Sequence, residues 1–322
     1  MPRGPISATI LDALSRLPHT VPPLPPPEDD PLWGDDSALA LYALHELHYR
    51  SFANVDDEWE WEPSLINAAT TLERGLENRL REEVGWQTVE PGQVVDELFR
   101  LALPIPGQSL SEMCRDSGTL GQLQEFAIHR SAYQLKEADP HTWAIPRLHG
   151  RAKAALVHIQ AGEYGNGIPT RLHSELFATT MRALGLDDSY GAYLDRIPGT
   201  TLATVNLVSL FGLHRRWRGA LVGHLAYFEM SSVAPMGRYA EALRRLGIDE
   251  SGLDFYDEHV EADVNHESIA IDGLVGGFIE EEPELASDVI FGAKALDCVE
   301  AAFARHLLDA WKRGASSLRA VP

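Results

Sequence analysis

Apolar residues recur at helical spacing along most of the chain, and no alternating strand-like run bounded by hairpin turns interrupts them. The pattern predicts an all-α protein. From residue 119 onward the helical segments are separated by clear breakers. A helix over 120–138 ends at Asp139-Pro140, one over 146–163 at Gly165-Asn166-Gly167, and one over 169–184 at Gly185. Helices over 202–211, 216–232 and 236–246 follow, the last two parted near Pro235, and segments 253–273 and 283–313 close the domain. Upstream, the pattern predicts helices over 38–52, capped by Asp36 and Ser37, over 63–84 and over 93–100. Residues 18–35 hold seven prolines and cannot form a helix or a sheet interior. The expected organisation is a disordered tail at 1–35 with one short helix at 6–17, and an N-terminal helical extension at 36–118. A main helical domain at 119–316 and a tail at 317–322 complete it. No repeat of fixed period is visible.

Charge and composition narrow the function more than the fold. The net charge of −21, from 48 acidic against 27 basic residues, repels nucleic acid and anionic membranes and reads mostly as a solvated acidic surface. The longest apolar run, 220–230, is broken by His224 and falls short of the roughly 20 residues a membrane span needs. The first 26 residues show no signal-peptide pattern, so the expectation is a cytoplasmic protein without membrane or nucleic-acid partners. Cys114 and Cys298 have no partners at metal-ligand spacing. There is no phosphate-binding glycine loop, no dinucleotide or flavin fingerprint and no nucleophile elbow.

The sharpest chemical signal is FYDEHVEADVNHESIA, where His259, Asp263 and His266 stand at i, i+4 and i+7. At about 100° per residue they share a narrow sector of one helix, an arrangement that suits a divalent ion such as iron, manganese or zinc. A polar solvated face is the plain alternative, because Glu258, Glu261 and Glu267 lie there too. In GEYGNGIPTRLHSELF, Glu163 ends one helix, Pro169 opens the next and His173 lies on its first turns; each alone is commonplace, but a glycine-permitted reversal brings them to one point. Glu229 stands among Leu221, Val222, Leu225, Ala226, Phe228 and Met230, where a carboxylate needs a metal, an Arg or a His as partner. Three carboxylates and three histidines make up what a carboxylate-rich dinuclear iron site in a helical bundle needs.

These residues resemble the haem-oxygenase-like diiron oxidases, and within them the iron-containing redox enzymes. The likeness covers about 119–315 and rests on Glu163 with His173, on Glu229, and on His259, Asp263 and His266, with His259 30 positions after Glu229. It also extends to EFAIHRSAYQLKEADPHTWAIPRL followed by EYGNG. The resemblance implies a haem-oxygenase-like helical bundle, two iron ions held by those six residues, and O₂ as co-substrate. The implied enzyme is a non-haem diiron oxidase or oxygenase. It acts on a small organic substrate by hydroxylation or other oxygenation, N-oxygenation, desaturation or C–C cleavage. An external electron donor such as an iron-sulfur protein is expected.

Glu125, His129 and Glu137 read as surface, substrate-facing or supporting residues, Glu137 being one that can add a carboxylate to an iron. His158 lies near Glu163 and stays open as an extra ligand, while His45 and His48 read as surface residues. The helices at 36–110 either cap the bundle or form a homodimer surface. Two other readings stand beside the enzyme. One is a haem-oxygenase-like small-molecule binding or hydrolytic module without redox metal. The other is a regulatory bundle that docks a partner through acidic helices.

Overall fold

The computed structural model of the protein describes residues 1–103 and 109–320, with the backbone alone at 261–265. Among these residues every regular element is a helix. The chain runs α1 (Pro5–Leu14), α2 (Asp35–Glu46), α3 (Pro63–Val84), α4 (Val94–Leu101) and α5 (Leu110–Ser117). Then come α6 (Leu120–Gln134), the single turn α7 (Asp139–Thr142), α8 (Gly150–Glu163), α9 (His173–Ala183) and α10 (Gly199–Leu213). The last four are α11 (Arg218–Arg245), α12 (Asp254–Ser268), α13 (Gly276–Glu281) and α14 (Ala286–Lys312). The result is the all-α bundle that the pattern predicted, consistent with the haem-oxygenase-like fold that the resemblance implied.

The first 35 residues, expected to be a disordered tail, are packed. Ile6 and Ile10 are fully buried, and Val21 and Leu32 nearly so. The Asp36 carboxylate accepts hydrogen bonds from the backbone N–H groups of Ile6 and Ser7 at 2.9 and 2.7 Å, satisfying the free donors at the start of α1. Asp36 is therefore not the cap of α2. Asp29 serves there instead, accepting from the Asp36 N–H at 2.8 Å and the Ser37 hydroxyl at 2.6 Å. Helices α1 to α4 bury their apolar faces in one core with α10, α11 and α14, so the N-terminal extension continues the main core.

Helices α11 and α14 form the central pair. A Cβ at Gly223 would collide with the Val289 carbonyl, and one at Gly292 with the Ala220 carbonyl, so each glycine admits the other helix's backbone. Helix α11 is also continuous through Pro235, where two helices were expected. An internal proline costs about 3 kcal/mol, which the packing of α11 against α5, α12 and α14 outweighs. Segment 253–273 likewise divides: α12 gives way at Ile269–Val275 to a π-helical stretch that packs on α8, where a Cβ at Gly273 would stand 2.8 Å from the Ala155 Cβ.

One expected surface residue, His45, is buried, as is its neighbour Glu46. His45 is 2% exposed and Glu46 is 0% exposed. His45 Nε2 and His214 Nε2 lie 3.0 and 2.8 Å from the same Glu73 oxygen. Burial opposes ionisation of Glu73, but the two histidines together hold its carboxyl well below the ordinary range.

Candidate metal centre

The centre begins where α8 stops. Glu163 is its last residue, and Gly165, Asn166 and Gly167 follow with φ of 59°, 51° and 79°. Three successive left-handed residues turn the chain tightly back, and a Cβ at Gly165 would run into the Arg171 backbone. The reversal brings the first residue of α9 onto the end of α8: His173 Nδ1 lies 2.8 Å from Glu163 Oε2. That approach is outside hydrogen-bond geometry.

Helices α11 and α12 supply the rest. His266 Nδ1 lies 3.5 Å from Glu163 Oε1 and 3.5 Å from Glu229 Oε2. The His259 and His173 rings are 4.3 Å apart between centroids. His259 Nδ1 donates to the Phe255 carbonyl at 2.6 Å, one helical turn back, so Nε2 keeps its lone pair and faces Glu137 Oε1 at 3.7 Å. Ligand atoms of Glu137, Glu163, His173 and His259 all lie within 4.8 Å of one another, and so do those of Glu163, Glu229 and His266. Glu163 belongs to both groups. All six side chains are buried, and this buried Glu/His cluster can hold metal.

Five of the six residues named from the sequence thus converge. The sixth, Asp263, lies outside the residues whose side chains are described. Glu137, read above chiefly as a surface, substrate-facing or supporting residue, stands in the cluster, and neither of its carboxylate oxygens has a hydrogen-bond partner among the described residues. The remaining candidates do structural work. Glu125 accepts from Trp311 Nε1 and the Ser317 hydroxyl at 2.8 and 2.6 Å. His129 bonds Thr201 and Ser317 at 2.7 and 3.0 Å, and His158 points outward.

Electrostatics in the cluster are dominated by burial. Burial alone would push the Glu163 carboxyl up, but the imidazoles of His173, His259 and His266 outweigh it and hold the group at about 2. Tyr133 lines the same cavity; burial, reinforced by Glu137, Glu163 and Glu229, raises its phenol well above the ordinary value and keeps its proton. A second buried pair, absent from the sequence reading, adjoins the cluster: His141 Nε2 and His224 Nδ1 are 3.1 Å apart. Burial lowers His141 to about 4, so the pair is neutral near pH 7.

Beyond the Tyr133 and Phe228 rings, which also line the cluster's own cavity, opens a larger cavity of about 720 Å³. Phe126, Tyr239 and Phe303 form part of its wall. Its Arg130 is already paired with both oxygens of Glu300. No helix among the described residues is long and apolar enough to cross a membrane.

Comparison with known proteins agrees with this chemistry. Residues 124–300, more than half of the chain, match the family described as iron-containing redox enzymes. A nitrosourea synthase of Streptomyces achromogenes subsp. streptozoticus is 26% identical over 146 residues. That match covers 45% of this chain and 31% of that protein, so the similarity spans about a third of the relative's length. The family span includes every residue of the cluster.

Proposed function

The chain belongs to the family of iron-containing redox enzymes, and from that premise we propose a non-haem diiron oxidoreductase that oxidises a small organic substrate with O₂. The observation that carries the reading is the placement of Glu163, whose two oxygens face His173 on one side and His266 on the other at 2.8 and 3.5 Å. A carboxylate shared in this way suits a bridge between two ions. Glu137, Glu163, His173 and His259 are assigned to one iron, and Glu163, Glu229 and His266 to the other. Asp263 is kept as a further proposed ligand on its sequence position alone.

The donor set fits iron: carboxylate oxygens and imidazole nitrogens are the ligands that ferrous ions accept, and three buried carboxylates in one cluster call for positive charge. Iron, when bound, supplies the electrons and open coordination positions that O₂ chemistry needs. The protein's own residues supply the rest. The Phe255 carbonyl fixes the His259 tautomer. The protonated Tyr133 hydroxyl offers a hydrogen-bond donor, and Leu225 and Phe228 keep the cavity apolar. The 720 Å³ cavity beyond Tyr133 and Phe228 is the proposed substrate chamber. Among oxygenation, N-oxygenation, desaturation and C–C cleavage, the likeness to a nitrosourea synthase favours oxidation at nitrogen. An external donor, such as an iron-sulfur protein, is proposed to return electrons.

Anaerobic loading with iron(II) tests the reading: it should give about two irons per chain and an O₂-dependent absorption change that is lost in His259→Ala. Wild-type protein that takes up no iron would sink it.

A further inference from the structure

Glu137 is the one member of the cluster that no helix carries. Residues 135–138 connect α6 to α7, and within them Ala138 adopts φ 74°, ψ −31°, a left-handed conformation that L side chains disfavour. Such backbone persists only where its surroundings hold it, and here two ties do so. On one side Lys136 Nζ donates to Glu46 Oε2 at 2.7 Å, with the two side chains 1% and 0% exposed. The other Glu46 oxygen accepts from the Tyr190 hydroxyl at 2.7 Å, and the Lys136 ammonium sits 4.1 Å from the Tyr49 ring centroid. On the other side Gln160, one turn before Glu163 on α8, donates from Nε2 to the Ala138 carbonyl at 2.8 Å. Lys136 and Glu137 are consecutive, yet one reaches α2 while the other reaches the cluster.

A buried ion pair is a poor source of stability, because taking both charges out of water costs about what their attraction returns. Its use is to select one geometry. We propose that Glu46 and Lys136 are positioning residues for the metal centre: their buried pair, opposed by Gln160, clamps the turn so that Glu137 stands in the cluster. The inference rests on the metal-centre reading given above. It assigns a task to α2, which lies outside the 124–300 family span: the N-terminal helix completes the site from without.

The test is an anaerobic iron(II) titration, followed by calorimetry, of wild type and the double variant Glu46→Gln/Lys136→Met, with melting of the metal-free proteins in parallel. The double variant removes both charges at once, so neither is left buried alone. Its metal-free melting should stay near that of wild type, while affinity at one of the two iron positions falls about tenfold or more, as for lost support behind a ligand. Adding Glu137→Gln to the double variant should weaken binding by less than Glu137→Gln does in wild type, because all three changes act through one group. A double variant that binds iron with wild-type affinity and stoichiometry overturns the positioning role and leaves the metal-centre reading intact. Wild-type protein that binds no iron removes both. If the double variant does not fold, Gln160→Met removes the opposing hydrogen bond to the Ala138 carbonyl without touching the pair. Weakened binding there supports the clamp, and wild-type binding overturns it.

Discussion

A Cβ at Gly162 would stand 2.9 Å from His266 Nε2, so the missing side chain of this glycine is the space that the His266 ring fills. Gly162 immediately precedes Glu163, which makes one short stretch of α8 both the carrier of a proposed ligand and a wall of the cluster. Gly162→Ala gains about 1 kcal/mol of helix preference against roughly 1–3 kcal/mol of overpacking. The metal-free protein should therefore melt within a few degrees of wild type, while iron(II) affinity falls about tenfold through the displaced ring. Parallel melting and titration decide the matter; unchanged affinity would mean that the ring is not confined.

Glu137→Gln separates function from stability. Both carboxylate oxygens are buried without hydrogen-bond partners among the described residues, so the metal-free protein bears the cost of a poorly satisfied charge. The variant should raise the metal-free melting temperature, with a gain on the order of 1 kcal/mol, and reduce iron from about two per chain towards one. Full iron loading of the variant would remove Glu137 from the ligand set.

Acid should weaken the protein through its buried neutral histidines. Burial, aided by the charge of His306, lowers His129 from 6.5 to about 3. The unfolded chain therefore binds a proton that the folded one refuses between these values. The contribution is complete above pH 6.5 and is lost as pH falls towards 3, by at most about 1.4 kcal/mol per unit from this group. His141, lowered to about 4, acts with the same sign. Melting of metal-free protein from pH 7 down to pH 5 should show a steep fall. His129→Gln should start lower and fall less steeply; parallel curves would contradict this origin.

Gly223→Ala and Gly292→Ala should each be severely destabilising. Each added methyl would meet the facing helix's carbonyl, forcing α11 and α14 apart at the centre of the bundle. A loss on the order of 3 kcal/mol or more is expected, measured by chemical denaturation. Because α11 carries Glu229, whichever variant still folds should also bind iron more weakly.

Local order was legible in the sequence because it depends on neighbours along the chain. The 3.6-residue spacing marked the helices, the paired glycines marked the reversal after Glu163, and the spacing of His259 and His266 put both on one face of α12. Local reasoning erred where a distant group settled the outcome. Pro235 looked like a helix end, yet α11 runs through it under the packing of its neighbours. The proline-rich start looked disordered, yet Asp36 caps α1 from about 30 residues away and the core takes in Ile6 and Ile10.

The same division runs through the candidate centre. Residue types and helical register, which make Glu163, His173, Glu229, His259 and His266 available, are read along the chain. The packing of distant helices settles that Glu163 faces both groups, that Glu137 enters from a left-handed turn, and that Glu46 and Lys136 lie buried behind it. The difference is one of range. Periodicity and capping act over a few residues, whereas the convergence of ligands depends on how whole helices pack, and no short stretch of sequence carries that information.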